Sequence, residues 1–202
     1  MRIPIKKERI FRRLCLDKGL TITSLARSAS LPKSYVSKTV EELRAKQAVF
    51  GTGKLTVDRK KLLREWGELK RSILASSRPL VADILIPDRV KEALGPYVVS
   101  GPFAEMLVQG QTPGKPMIVY SDENRMEDTL DKLSMFATIG KGSVFIYGYD
   151  MDIEYGSSMV KGWRIAALPQ IAADLIALST YADIGFELFN RWYDASGGIR
   201  KP

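Results

Sequence analysis

The amino-acid sequence predicts an α+β protein, in which a helical N-terminal module precedes a small domain of alternating strands and helices. Three observations support this fold class. Two short helical patterns lie on either side of residue 30, and a glycine-rich hairpin signal follows them. From residue 80 onward, apolar strand-like runs alternate with helical patterns, which is typical of a domain with a small mixed sheet. The 202 residues, 45% of them hydrophobic, suffice for one domain or two small ones.

Two helices are predicted before residue 30. The first covers residues 6–18, and its inner face consists of Ile10, Phe11, Leu14 and Cys15. Thr23 is the expected N-cap of the second helix, at residues 24–29, because threonine hydroxyls accept bonds from free backbone N–H groups. Ser30-Leu31-Pro32 ends this helix.

A third helix and a hairpin come next. The helix is predicted over residues 33–46, because apolar residues recur at helical spacing at Val36, Val40 and Leu43. Two strand-like runs, 48–50 and 54–57, flank Gly51-Thr52-Gly53. Glycines supply the positive φ that a tight turn needs, so this segment predicts a β-hairpin.

Helix, turn, helix and hairpin in this order predict a winged helix-turn-helix, a module in which the second of the two helices enters the major groove of DNA. The polar face of that helix and the tip of the wing are therefore the expected DNA contacts. The candidate residues are Lys33, Ser34, Tyr35, Ser37, Lys38 and Thr39 on the helix, with Thr52 and Lys54 on the wing. Arg44 and Lys46 rank lower, because cations near a helix C-terminus also complement the helix dipole.

The charge distribution agrees with this prediction. The chain carries a formal net charge of +8. Residues 1–78 contain 20 Lys and Arg against 7 Asp and Glu, whereas residues 79–202 contain 11 against 16. The basic excess therefore coincides with the predicted DNA-binding module, where it would neutralise phosphates.

The remaining elements follow from local patterns. Asp58 is expected to cap a helix at 59–70, and residues 72–79 are expected to form a linker between domains at 1–71 and 79–202. Strands are predicted at 80–86, 97–99, 117–120, 143–149 and 163–168. Helices are predicted at 88–94, 101–109, 123–136, 170–178 and 183–194.

Absent residue types exclude several chemistries. The chain has no histidine, which rules out histidine bases, triads and metal ligands, and its single cysteine disfavours zinc. A lone cysteine also suits the reducing cytosol, so a cytoplasmic protein is expected. There is no apolar stretch of about eighteen residues, so no membrane span is expected.

Two further segments are candidate sites. Ser100-Gly101-Pro102 lies at a predicted strand-to-helix turn, where backbone N–H groups can hold an anion, although an ordinary serine N-cap is the simpler interpretation. Asp150 and Asp152, with Glu154 nearby, could share one face of a strand end and bind magnesium. The alternative is that Asp150 and Asp152 lie in an exposed turn, which is the more common place for acidic residues at a strand end.

Several segments resemble a known family. SLPKSYVSKTVEELRAKQ, the wing and VDRKKLLREW resemble the N-terminal domain of AbiE-type antitoxins, which regulate abortive-infection toxin–antitoxin operons. YVVSGPFAEMLVQG and LPQIAADLIAL extend the resemblance along the chain. It implies a second domain similar to the nucleotidyltransferase fold, double-stranded DNA as a ligand, and a toxin-like protein or self-association as a partner.

The sequence departs from an active nucleotidyltransferase. Such enzymes have a Gly-Ser pair followed by an Asp-x-Asp strand, but here Ser100-Gly101 is reversed and the strand at 117–120 has no acid. Without paired carboxylates, nothing holds the metals of phosphoryl transfer. We therefore expect no enzyme activity and no cofactor, and interpret the chain as a sequence-specific transcriptional regulator that represses its own operon. The alternatives are a divergent nucleotidyltransferase acting on nucleic acid or protein, and a module for protein contacts.

Overall fold

The structure, a computed structural model, describes residues 5–84 and 88–195. The N-terminal module contains four helices and a two-stranded hairpin within these residues. In chain order they are α1 (Ile5–Leu16), α2 (Ile22–Ser28), α3 (Lys33–Ala45), β1 (Val49–Phe50), β2 (Thr56–Val57) and α4 (Arg59–Ser76).

The helix-turn-helix follows from local chemistry. Thr21, not Thr23, is the N-cap of α2, because Thr21 and Ser24 form a capping box in which each side chain accepts a bond from the other's backbone N–H. Predicting Thr23 as the cap was therefore wrong by two residues. The predicted Asp58 cap is confirmed, because its carboxylate accepts from the backbone N–H of Lys61 at 3.0 Å. The predicted inner faces of α1 and α3 are also confirmed as buried.

The hairpin is present as predicted, with shorter strands. β1 and β2 pair antiparallel, with Val49 opposite Val57 and Phe50 opposite Thr56. Gly51 has a φ of +84°, and a Cβ there would lie 2.6 Å from the carbonyl oxygen of Lys54, so the turn requires glycine. Leu55 anchors the hairpin, because its N–H donates to the carbonyl of Leu20 and its side chain is buried.

A mixed sheet forms the second half, which together with the helices confirms the α+β class. Within the described residues the strand order is β6-β3-β7-β5-β4-β9-β8. The strands are β3 (Leu80–Asp83), β4 (Tyr97–Ser100), β5 (Met117–Asp122), β6 (Thr138–Ile139), β7 (Val144–Tyr149), β8 (Ser158–Val160) and β9 (Trp163–Ile165). β5 pairs parallel with β7, as β4 does with β9, and the other pairs are antiparallel. The edge strands β6 and β8 were not predicted.

Helices accompany this sheet. They are α5 (Asp88–Ala93), α6 (Gly101–Val108), α7 (Met126–Ser134), α8 (Leu168–Ala177) and α9 (Ala182–Ala195). Two single 3₁₀ turns cover Glu123–Arg125 and Met151–Glu154. Residues 85 and 86 of the predicted first strand lie outside the described residues. No helix in the described part of the chain is long and apolar enough to cross a membrane.

A linker was predicted at residues 72–79. The prediction is wrong for residues 72–76, because α4 continues to Ser76. The reason is tertiary: α4 packs along α8, and Ile73 is fully buried in the core. One continuous set of buried apolar side chains includes residues from both halves of the chain, from Ile10 to Phe189. The two halves therefore share a core across the expected boundary.

Glycines allow α4, α8 and α9 to approach closely. A Cβ added at Gly67 of α4 would lie 2.4 Å from Cγ2 of Ile176 on α8. One added at Gly185 of α9 would lie 2.8 Å from the carbonyl oxygen of Ala172. Because real atoms do not approach so closely, larger residues at these positions would push the helices apart.

We predict that Gly67→Ala destabilises the protein by about 1–3 kcal/mol through overpacking. The sign of the change in unfolding free energy tests the contact, because Gly→Ala in a helix with free space beside it stabilises by about 1 kcal/mol. Urea unfolding of the full chain measures the change. Gly53→Ala is the control, because a Cβ there meets nothing within 4 Å, and its effect should stay within about 0.5 kcal/mol. A Gly67→Ala variant as stable as the wild type would refute the close α4–α8 contact.

Candidate nucleic-acid interface

The first two turns of α3 form an exposed, positively charged surface. The helix buries Val36, Thr39, Val40 and Leu43, so most of the other residues in its first two turns face outward. Lys33, Ser34 and Lys38 are exposed as predicted, and Ser37 is partly exposed. These residues and the wing tip at 51–54 are called the α3–wing surface below.

The N-terminus of α3 is open. Its N-cap position is Pro32, which makes no side-chain cap bond, and its first turn contains no acidic residue. The first backbone N–H groups of a helix have no intrahelical acceptor, and the helix dipole places positive potential there. With Lys33 beside it, this helix end has the chemistry that binds phosphate oxygens.

Thr39 is a correction to the predicted site. Its side chain is only 3% exposed, and its hydroxyl donates to the carbonyl oxygen of Tyr35 at 3.0 Å. A threonine whose hydroxyl bonds back to residue i−4 can lie on the apolar face of a helix. Thr39 therefore packs inside the module and cannot contact DNA directly.

Tyr35 has a mixed environment. Its ring is partly buried and packs against the core. Burial raises the pKa of the Tyr35 phenol, and the nearby Glu42 carboxylate raises it further. The phenol is therefore neutral at physiological pH, and its hydroxyl can both donate and accept a hydrogen bond.

The wing is attached to α3 through Arg44. The Arg44 guanidinium donates to the carbonyl of Gly51 and pairs with Glu41. Thr52 and Lys54 are exposed beyond this attachment, as predicted for a wing tip. Arg44 thus holds the wing against α3. The sequence analysis missed this role, because it explained Arg44 by the helix dipole.

Acidic residues on α3 lie at its C-terminal half and are paired. Glu42 accepts from Lys7 of α1, and Glu41 pairs with Arg44. These pairs neutralise the acids, so the unpaired positive charge of α3 lies in its first two turns. The electrostatic surface therefore favours contact with phosphates through the N-terminal end of the helix.

Ser100 occupies the N-cap position of α6, as the simpler interpretation predicts, but its side chain does not cap the helix. Ser100 is buried, makes no side-chain cap bond to α6, and donates its hydroxyl to Asp174 of α8. Gly101 follows with a φ of +62°, and Pro102 lies in the first helical turn as predicted. Since Ser100 bonds to a carboxylate, its side chain is committed to an internal contact.

The magnesium candidate is also corrected. Asp150 and Asp152 flank the start of a 3₁₀ turn, not a strand, and arginines of α1 engage both carboxylates. Arg9 Nε donates to Asp150 at 2.6 Å, and Asp152 accepts from Arg12 and Arg13 at 2.5 and 2.6 Å. These acids therefore join the two halves of the chain. In the parts of the chain that the structure describes, no three His, Cys, Asp or Glu side chains cluster as metal ligands.

A buried polar network, which the sequence did not predict, lies at the same junction. Lys70 of α4 donates to Glu8 of α1 at 3.1 Å and to the Tyr149 hydroxyl of β7 at 3.0 Å, and lies 3.4 Å from Asp174. The Trp66 indole N–H donates to Glu8 at 2.7 Å. Burial raises the pKa of Asp174, whereas the Lys70 charge lowers it. In the sequence, the only sign of this network is that Lys70, Glu8 and Asp174 lie on the apolar faces of predicted helices.

No protein-family model, curated protein or solved structure matches this chain. Function must therefore be inferred from the chemistry of the surfaces described above. Among them, the α3–wing surface offers unpaired cations, hydroxyls and an open helix end at exposed or partly exposed positions.

We predict that Lys70→Met destabilises the protein by about 3–5 kcal/mol at neutral pH, because it leaves Glu8 and Asp174 buried without their cation. Losing Lys70 raises the pKa of Asp174 further. A carboxyl whose folded pKa exceeds its unfolded value contributes stability that is present at low pH and lost as pH rises. The deficit of the variant, measured by chemical denaturation, should therefore shrink as pH falls toward the ordinary aspartate range.

Lys46→Met is the matched control. It removes an exposed lysine that pairs with Glu65, so it should cost no more than about 1 kcal/mol. Equal losses for Lys70→Met and Lys46→Met would contradict the role assigned to the buried network.

Proposed function

We propose that this protein binds double-stranded DNA by docking α3 in the major groove, with the wing beside it. The observation that carries this proposal is the α3–wing surface. Its cations Lys33 and Lys38 are exposed on the first two turns of an uncapped helix, and Thr52 and Lys54 are exposed on the wing that follows this helix in the chain. A helix of this kind fits the major groove, which is about 12 Å wide.

Each residue of the surface has a role in this proposal. Lys33, Lys38 and the N-terminal N–H groups of α3 contact phosphates and position the helix. Ser34, Ser37 and the Tyr35 hydroxyl are the groups that can reach base edges, where they discriminate sequence. Thr52 and Lys54 contact the backbone beside the groove. Thr39 supports the helix from within and is no longer part of the interface.

We further propose that the bound DNA is an operator and that the protein is a cytoplasmic transcriptional regulator. This finer proposal rests on the resemblance to AbiE-type antitoxins, which also suggests autorepression and a toxin-like partner or self-association. We propose no reaction for the second half. Asp150 and Asp152, its candidate carboxylates, form ion pairs with Arg9, Arg12 and Arg13 of α1. These ion pairs connect the two halves of the chain.

We predict strongly salt-dependent binding to duplex DNA. If the α3–wing surface and its surroundings neutralise roughly 6–8 phosphates, a plot of log K against log salt concentration should have a slope of about −5 to −7. Fluorescence anisotropy with the full chain and random-sequence duplexes measures it. Undetectable binding at low salt would refute the proposed function.

We predict that single substitutions separate positioning from reading. Lys38→Ala should weaken binding to all duplexes alike and reduce the salt slope by about one. Lys141→Ala, at an exposed lysine in the second half, is the charge-matched control. It should leave both the affinity and the salt slope unchanged.

Ser37→Ala and Tyr35→Phe should instead change the preference for a duplex selected from a random library. The expected loss is about 1–3 kcal/mol of discrimination where a base contact is removed. Tyr35→Phe keeps the packing of the ring against the core. If Lys38→Ala, Ser37→Ala and Tyr35→Phe each weakened binding to selected and random DNA equally, α3 would have no reading role.

A further inference from the structure

A groove separate from the α3–wing surface lies where the wing, the start of α4 and α9 meet. Its volume is about 650 Å³, which is within the size range of small-molecule sites. It is lined by Phe50 of the wing, by residues 58–61 at the start of α4, and by Phe189 and Tyr193 of α9. Below, this is called the α4–α9 groove.

One wall of the groove is cationic. Arg59, Lys60 and Lys61 occupy the first turn of α4, an 18-residue helix with no acidic residue in that turn. The one acid in the lining, Asp58, caps the helix by accepting from the backbone N–H of Lys61. Lys60 is exposed and forms no hydrogen bond or ion pair with any residue that the structure describes. Its ammonium group is therefore available to an anion from outside.

Aromatic residues of β1 and α9 also line the groove. Phe50 on β1 is 44% exposed, although phenylalanine is usually buried. On α9 the partly buried ring of Tyr193 stacks on the buried ring of Phe189, with ring planes 13° apart. The Arg59 guanidinium lies 5.2 Å from the centre of the Tyr193 ring, which joins the cationic and aromatic walls.

We propose that the α4–α9 groove binds a nucleoside phosphate. Its phosphate group pairs with the ammonium group of Lys60, beside Arg59 and Lys61 on the same helical turn. Its base packs against the exposed ring of Phe50. Two simpler ligands fit the groove less well. Inorganic phosphate would make no contact with the aromatic residues, and an uncharged aromatic molecule would leave the Lys60 ammonium group without an anion. Walls on three elements suit a mononucleotide better than a continuous strand. The site does not depend on the proposed DNA-binding function.

The test measures binding of ATP, GTP, CTP and UTP to the full chain by isothermal titration calorimetry, with and without Mg²⁺. Pyrophosphate, adenosine and a short single-stranded oligonucleotide are the comparison ligands. We expect at least one nucleotide to bind with a Kd below about 1 mM, and more tightly than pyrophosphate or adenosine.

Two groove variants separate the contributions of charge and ring. Lys60→Gln should weaken both nucleotide and pyrophosphate binding about tenfold, because a charge-assisted contact is lost. Phe50→Ala should weaken nucleotide binding about tenfold and leave pyrophosphate binding unchanged, because base stacking is lost. Lys6→Gln, at an exposed lysine of α1 outside the groove, is the matched control and should have no effect. Both groove residues are exposed, and thermal unfolding checks that each variant is folded.

Three results would overturn the proposal. The first is no nucleotide binding at millimolar concentration, and the second is binding that Lys60→Gln and Phe50→Ala leave unchanged. The third is binding of the oligonucleotide but of no mononucleotide, which would assign the groove to a nucleic-acid strand. Duplex binding through α3 would be unaffected by any of these results, so the two proposals fail separately.

Discussion

The architecture depends on Lys70, a fully buried cation that contacts groups from three other elements. Its ammonium group donates to Glu8 of α1 and to Tyr149 of β7, and it lies beside Asp174 of α8. Removing these charges from water is costly, and their attraction offsets that cost only if every partner is in place. Such a network therefore holds α4 at one position relative to the sheet.

The same junction changes how the charge distribution is to be interpreted. Residues 1–78 are basic and residues 79–202 acidic, but several of these charges face each other inside the protein. Arg12 and Arg13 of the first half pair with Asp152 of the second, as Lys70 pairs with Asp174. Part of the asymmetry thus reflects complementarity between the halves. The cations available to an external anion are the exposed ones, such as Lys33 and Lys38. The local surface is therefore better evidence for the proposed DNA binding than the net charge.

Sequence patterns predicted the elements whose causes are local, and missed those whose causes are distant. The apolar stripe of α3 and the glycines of the wing predicted both elements, because spacing and turn geometry are encoded within a few residues. The end of α4 was missed, because Ser72–Ser77 has weak helical signals and the helix is extended by packing on α8. Thr39 was misplaced because residue type was given more weight than position: it lies three residues after Val36, on the buried stripe. The α4–α9 groove combines residues far apart in the chain, so no local pattern indicated it.

The positions of the acids on α3 leave unpaired positive charge only at the N-terminal end of this helix. Glu41 and Glu42 would repel phosphates if they lay in the first turn, but they lie in the third, where Arg44 and Lys7 pair with them. Arg44 also holds the carbonyl of Gly51, so the contact that neutralises Glu41 attaches the wing as well. The wing is thereby held to the C-terminal end of α3 without using Lys33, Lys38 or Lys54. These cations stay exposed because other residues stabilise the module, and a surface kept free in this way suits an external anion such as the DNA backbone.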